Sequence, residues 1–331
     1  MLPFGMAAQL LRSSLCTEES LCSPALLAWA DRIREAWDHS HSGLPVLVHR
    51  KIWEWVFIIE ALAERGHLAP GHRGLGFGVG QDPLAALFAS EGCDVVATDI
   101  SHADLKGAGW VDSHQHASGL EQLNQDGICD PGRFAQAVQF REVDMRRLPS
   151  DLGLGQFDFT WSACAFEHLG SLAAGREFIL RQMDFLVPSG VAVHTTEFNV
   201  GSNSSTVGSG PTVLYRRRDI DDLVGQLRIL GHLVEVDYAA GTTPADLHVD
   251  HPPWSSPHLK IALGRHVVTS LALIIQKGPT GTTTSWQPDG PWRRKRMVDG
   301  VRFGTAFHAE AAYRRLRGVV AGRRGVAPPA E

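Results

Sequence analysis

A chain of 331 residues that is 44% hydrophobic and 20% charged has ample material for a packed core, which excludes disorder over most of its length. Its formal charge of -5 excludes a general attraction for polyanions, so nucleic acid is not the expected partner. The five cysteines, Cys16, Cys22, Cys93, Cys129 and Cys164, are scattered without a CxxC pair. They fit reduced thiols in a cytoplasmic protein better than a disulfide framework. Neither a secretory leader nor a run of roughly 18 apolar residues is present, so the expectation is a soluble, cytoplasmic chain with no membrane contact.

In chain order, Leu26, Leu27, Trp29, Ile33 and Trp37 have helical spacing and predict a short helix over Pro24 to Trp37. The run HRKIWEWVFIIEALAERGHL places Ile52, Trp55, Val56, Ile59 and Leu62 on one stripe and ends at Arg65-Gly66, which predicts a second helix before the sheet. Residues 1–70 are expected to form a helical lid. Between Arg73 and Lys277 short apolar runs alternate with helical stretches, the pattern of a largely parallel sheet covered on both faces. Seven strands are predicted, near Arg73 to Phe77, Asp94 to Thr98, Gln139 to Val143, Phe157 to Trp161, Val191 to Thr196, Leu233 to Val236 and Val267 to Ile275. Loops rich in Gly and Ser (200–215) and in Pro, His and Asp (240–260) are expected to shape a substrate site within a domain spanning 71–278. Residues 279–331 read as a linker, a helix over Thr305 to Arg317 and an Arg-, Gly- and Pro-rich end.

The strongest signal is RGLGFGVGQDPLAALFASEGCDVVATDIS, which reads as strand, glycine turn, helix and second strand. Gly76, Gly78 and Gly80 permit positive torsions and close approach of a ligand, and Asp82-Pro83 is expected to supply an N-cap and a first-turn proline. Asp99 falls at the end of the second strand, where a carboxylate can accept both hydroxyl hydrogens of a ribose. A dinucleotide fingerprint fails in each register: counting from Gly74, Gly76 or Gly78, the last position is Val79, Gln81 or Pro83.

The alternating G-x-G-x-G turn resembles motif I of the class I S-adenosylmethionine-dependent methyltransferases. Further marks follow in order: Asp144-Met145 after the third strand, FDFTWSACAFEHLG around the fourth, and MDFLVPSGVAVHTTEFN into the fifth. The resemblance covers about Gly71 to Gly190, and more loosely the sheet out to Lys277. It implies a Rossmann-like sheet of seven mostly parallel strands with helices on both faces and the last strand antiparallel. It also implies S-adenosylmethionine as cofactor, with S-adenosylhomocysteine as product. Gly76, Gly78, Gly80, Asp99, Ile100, Asp144, Met145, Ser162, Ala163 and Glu167 are the cofactor-binding positions it assigns. One departure is Gly74, where such enzymes commonly carry an acid, which points to another acid such as Glu167, or to backbone carbonyls, for the cationic end of the ligand.

Methyl transfer is an in-line displacement at an activated carbon, so the chief task is holding the acceptor in line. The catalytic candidates are His168, beside Glu167 after the fourth strand, and His194 and Glu197 in HTTEFN. Alternation puts Glu197 and Asn199 on one face of the fifth strand, and His194 and Thr196 on the other. Asn199, Tyr215 and Arg216 are candidate substrate-binding residues. His248, Asp250, His251 and His258 could together bind a divalent metal, although the sequence does not favour it. Trp53, Trp55 and Phe57 read as core. The expected reaction is methyl transfer to an oxygen of a small sugar-like or secondary-metabolite acceptor, in a chain compatible with homo-oligomerisation. The alternatives are a nicotinamide-dependent oxidoreductase and a non-catalytic Rossmann-like binding or scaffold protein.

Overall fold

The structure is a computed structural model and describes residues 10–37, 48–101 and 116–279. The predicted C-terminal helix over Thr305 to Arg317, like the rest of the extension, lies outside the described residues.

The chain enters through a short strand, β1 (Ser13–Leu15), followed by α1 (Glu18–Leu21), α2 (Pro24–Trp37) and α3 (Arg50–Ala63). Then come β2 (Arg73–Phe77), α4 (Leu84–Ser90), β3 (Asp94–Asp99), α5 (Pro131–Ala137), β4 (Val138–Glu142) and β5 (Phe157–Ala163). A 3-10 turn at Phe166–His168 leads to α6 (Leu172–Gln182), β6 (Leu186–Asn199), α7 (Arg217–Ile229) and β7 (Val236–Asp237). The described chain closes with α8 (Pro244–Leu247), β8 (Ile261–Leu263) and β9 (His266–Gln276).

The strands form one sheet in the order β4-β3-β2-β5-β6-β9-β1-β7, with β8 paired to the start of β9. β4 through β6 run parallel, and β9 is antiparallel to β6, with Glu197 opposite Ser270. The fold is Rossmann-like. All seven predicted strand positions are occupied, but the sheet has nine strands among the described residues. The two unpredicted ones are the three-residue β1 and β8. β1 lies between β9 and β7, antiparallel to the first and parallel to the second. Three residues cannot display a convincing alternation; β1 pairs with strands more than 200 positions away, and β8, in a tight hairpin with the start of β9, is too short to announce itself.

Alternation along the central strands divides the core between two faces. Phe159, Trp161, Val191, Val193, Ala272 and Ile274 pack with α2, α3 and α4 on one side. Ala192, Leu271, Leu273 and Ile275 pack with α6 and α7 on the other, joined by Phe157 across an irregularity between Phe157 and Phe159. The predicted stripe of α3 is buried, but so are Trp53, Phe57, Ile58 and Ala61. The helix is enclosed on every side because α1 and α2 cover the face turned away from the sheet, where the Trp53 indole N–H donates to Ser20 Oγ at 3.0 Å. That enclosure sets the first turn of α3 against β6 and β9.

Candidate active site

The glycine turn after β2 forms as the sequence predicts, for two separate reasons. Gly78 and Gly80 have φ of +56° and +53°, a region that costs L side chains. A Cβ on Gly78 would stand 2.9 Å from Ala165 Cβ and 3.1 Å from Met145 Sδ. Gly74 and Gly76 are needed for close approach instead. A Cβ there would stand 2.4 Å from the Phe159 ring or the Trp161 ring. The absent acid at position 74 thus has a steric cause: two aromatic rings of β5 occupy the space a longer side chain would need.

Asp99 ends β3 and is 6% exposed. Its Oδ2 accepts from Gly80 N and Ala117 N, each at 3.0 Å, and its Oδ1 accepts from Ile100 N at 2.8 Å. The carboxylate therefore pins the glycine turn and the segment after β3 at once. Burial raises its pKa against the pull of these N–H groups. Met145 lies buried against Gly78, while Asp144 is held by the Arg146 guanidinium at 2.8 Å, which keeps its carboxyl below the usual range despite burial.

Asp82 does not cap α4, contrary to expectation. The cap position is Pro83, without a side-chain hydrogen bond. The Asp82 carboxyl interacts instead with Lys51 and Trp55 of α3, and burial, with Glu54 and Asp99 adding to it, pushes it up to about 7.

The first turn of α3 brings in residues that sequence reasoning passed over. Arg50 reaches Glu197 Oε1 at 2.6 Å, and its other arm lies 3.5 Å from Glu54 Oε1. Lys51 pairs with Glu54, and Ser270 Oγ donates to the same carboxylate. Two cations at a helix N-terminus oppose the helix dipole, so these carboxylates offset an unfavourable placement. The available signal was three charged residues, Arg50, Lys51 and Glu54, clustered at the start of a largely apolar helix with i,i+3 and i,i+4 spacing.

Glu167 and Cys164 complete the group. Glu167 is fully buried on the 3-10 turn after β5, and its Oε2 accepts from Thr196 Oγ1 at 3.1 Å. Burial and the neighbouring Glu197 push its carboxyl up to about 8. Cys164 follows β5 with φ of 51°, its N–H donating to Thr195 O at 3.1 Å, and burial raises its thiol well above the ordinary value. His168 Nδ1 lies 3.0 Å from Pro211 O, which can only accept, so Nδ1 carries the hydrogen and Nε2 the lone pair. Desolvation holds this imidazole down to about 4, and Nε2 stands 3.9 Å from Glu167 Oε1.

Of the predicted chemical residues, the structure thus brings together Glu167, His168 and Glu197. It does not bring His194 with them. That side chain is fully buried on the opposite face of β6, bonded to Ser162 at 2.8 Å and flanked by Phe166 and Phe178. Burial lowers its pKa to about 3, so it is a neutral core residue, and Ser162, also fully buried, is its partner. Asn199 organises its own loop, donating to Ser205 O at 2.9 Å and accepting from Gly201 N at 3.0 Å. Tyr215 is a core side chain packed against Phe166 with the rings tilted, and Arg216 is engaged by Asp219 and Ser204 O at the start of α7. All three thus have polar atoms engaged within the fold.

The proposed metal set is not assembled either. His248 and His251 are exposed, whereas Asp250 and His258 form a buried pair that anchors α3, with Arg50 N donating to His258 O at 3.0 Å. His49 stacks on His258 at 4.5 Å and caps α3 by accepting from Lys51 N at 3.0 Å.

No family model matches the chain, and no curated protein matches its sequence. Solved structures resemble the chain at low identity. The [4+2]-cyclase SpnF is 18% identical over 53% of this chain and 57% of its own, with a TM-score of 0.38. Phosphoethanolamine N-methyltransferase 2 of Haemonchus contortus, in complex with S-adenosylmethionine, is 20% identical over 52% of this chain and 36% of its own, also at 0.38. Magnesium protoporphyrin IX methyltransferase (ChlM) of Synechocystis PCC 6803, with S-adenosylmethionine bound, is 14% identical over 78% and 94%, at 0.43. The matched region thus spans under two thirds of the first two proteins. Among the described residues no helix is long and apolar enough to cross a membrane.

Proposed function

We propose that the protein transfers a methyl group from S-adenosylmethionine to an oxygen of a small, sugar-like or secondary-metabolite acceptor. The observation that carries this reading is the glycine turn, held open by Asp99, beside a buried acidic group at the ends of β5 and β6. The residues present fit such a cofactor. The turn at Gly78 and Gly80 admits a ligand against its backbone, and the Asp99 carboxylate, with three N–H donors bound, retains acceptor capacity for a ribose hydroxyl. Glu167 Oε1 is buried with no hydrogen-bond partner, and the Asp82 carboxyl is pushed up to about 7. The Asp82 carboxyl can face the cationic end of the ligand, a role the steric block at Gly74 denies to that position.

When bound, the cofactor supplies an activated methyl carbon. The protein's task is then to position the acceptor and receive its proton. His168 Nε2, neutral at physiological pH, is the base candidate, and the protonated Glu167 beside it can donate a hydrogen bond to the acceptor.

Isothermal titration of the full chain with S-adenosylmethionine, S-adenosylhomocysteine and NAD tests this reading. Micromolar binding of both sulfur ligands is expected, weakened roughly tenfold or more in Gly78→Val, whose side chain meets Ala165 and Met145. Binding of NAD alone, or of none of the three, overturns it.

A further inference from the structure

Among the described residues only one trio of His, Cys, Asp or Glu places its donor atoms within 4.8 Å of one another: Cys164, Glu167 and Glu197. Proximity of acids alone is no site. Here, however, Glu167 Oε1 and Glu197 Oε2 are buried atoms without a hydrogen-bond partner, on side chains 0% and 7% exposed. Buried acceptors left unpaired are costly, and such atoms call for a ligand. Their sister oxygens are fixed, Glu167 Oε2 by Thr196 at 3.1 Å and Glu197 Oε1 by Arg50 at 2.6 Å. Each carboxylate is therefore held through one oxygen and has the other unpaired, as carboxylates oriented by outer hydrogen-bond partners do in metal sites. Cys164 Sγ has a single weak contact, from Thr195 Oγ1 at 3.7 Å.

We propose that Cys164, Glu167 and Glu197 bind one divalent cation of the zinc, iron or cobalt class. The donor set selects the class. A thiolate with two carboxylates suits borderline cations, whereas magnesium and calcium prefer oxygen alone. Charge supports it as well. With Cys164 as thiolate and Glu54, Glu167 and Glu197 ionised, the dication together with Arg50 and Lys51 leaves the cluster without net charge. The protons of Cys164 and Glu167 pass to solvent as the metal–sulfur and metal–oxygen bonds form. Three protein ligands leave a coordination position open at the ends of β5 and β6. Binding of the cation stands on these donors by themselves. Its use, as a Lewis acid on an acceptor oxygen, rests on the methyl-transfer reading.

The test is titration of the metal-stripped full chain with Co2+, reading the near-ultraviolet charge-transfer band of a cobalt–thiolate bond. One equivalent per chain, displaced by Zn2+, is expected. The band should vanish in Cys164→Ser, and affinity should fall roughly tenfold or more in Glu167→Gln and Glu197→Gln. Circular dichroism checks that the variants fold, and the wild-type titration is decisive even where one does not. Absence of the band in the wild type, its survival in Cys164→Ser, or displacement of Co2+ by equimolar Mg2+ overturns the proposal. S-adenosylmethionine binding measured on the same metal-free protein separates the two claims: binding without a cobalt band defeats the metal site alone, and the band without such binding defeats the methyl-transfer reading alone.

Discussion

Two buried polar groups flank the first turn of α3, and they differ in one respect. Asp250 and His258 satisfy each other, Asp250 also accepts from Ser255 N at 2.9 Å, and His49, stacked on His258, accepts from Lys51 N; these three residues leave no buried side-chain polar atom without a partner. The group around Glu167 and Glu197 leaves acceptors unpaired. Polar residues that complete their own hydrogen bonds serve the fold, and those left short are waiting for something else. Histidine and acid content misdirects here, since the loop richer in both is the structural one.

This contrast is open to experiment. The largest effect is expected at Glu54, the carboxylate shared by Arg50 and Lys51. Glu54→Leu strands the buried Lys51 ammonium, leaves Arg50 with Glu197 alone, and should cost about 3–5 kcal/mol in urea unfolding. A loss well below that would mean that Lys51 finds another carboxylate. Asp250→Ala removes the acceptor of His258 Nδ1 and Ser255 N and should cost about 1–3 kcal/mol.

A pH effect of similar size is expected from His194. Unfolded, the imidazole takes up a proton below about pH 6.5. Folded, it stays neutral down to about 3. The unfolded state therefore binds the extra proton, and stability is lost as pH falls from about 6.5 toward 3, by about 2 kcal/mol at pH 5 from this residue. His194→Asn, which can keep the bond to Ser162, should flatten the dependence of the urea midpoint between pH 7 and 5. An unchanged slope would show that the imidazole is charged in the folded protein.

The smallest stability effect is expected where the ligand effect is greatest. Glu167→Gln keeps an acceptor for Thr196 and removes a carboxylate that has no cation of its own, so unfolding should shift by less than about 1 kcal/mol. Its Co2+ affinity should nevertheless fall. A large loss of stability with no change in cobalt binding would place Glu167 with Asp250 among the structural residues and erase the contrast.

The glycine turn and the strand positions were readable in the sequence because they depend on local chemistry: positive torsions at Gly78 and Gly80, an acid at the end of β3, and alternation along β5 and β6. The faces of β6 followed from the same period of two. What that period cannot say is which face receives a helix bearing charge. Tertiary structure decided that Glu197 meets Arg50 while His194 lies between Phe166 and Phe178. It also decided that Tyr215, Arg216 and Asn199 turn inward to fold partners, and that Asp82 reaches α3 rather than capping α4.

By itself, the sequence determined a parallel α/β sheet with a ligand turn at its centre, because each step in that pattern is set by neighbours a few residues apart. Only the tertiary structure decided which acids share a site. Glu54, Glu167 and Glu197 lie on three separate elements; burial raises Glu167 and Glu197, while Lys51 and Arg50 hold Glu54 down. Burial is a property of the packed whole, which no window of sequence contains.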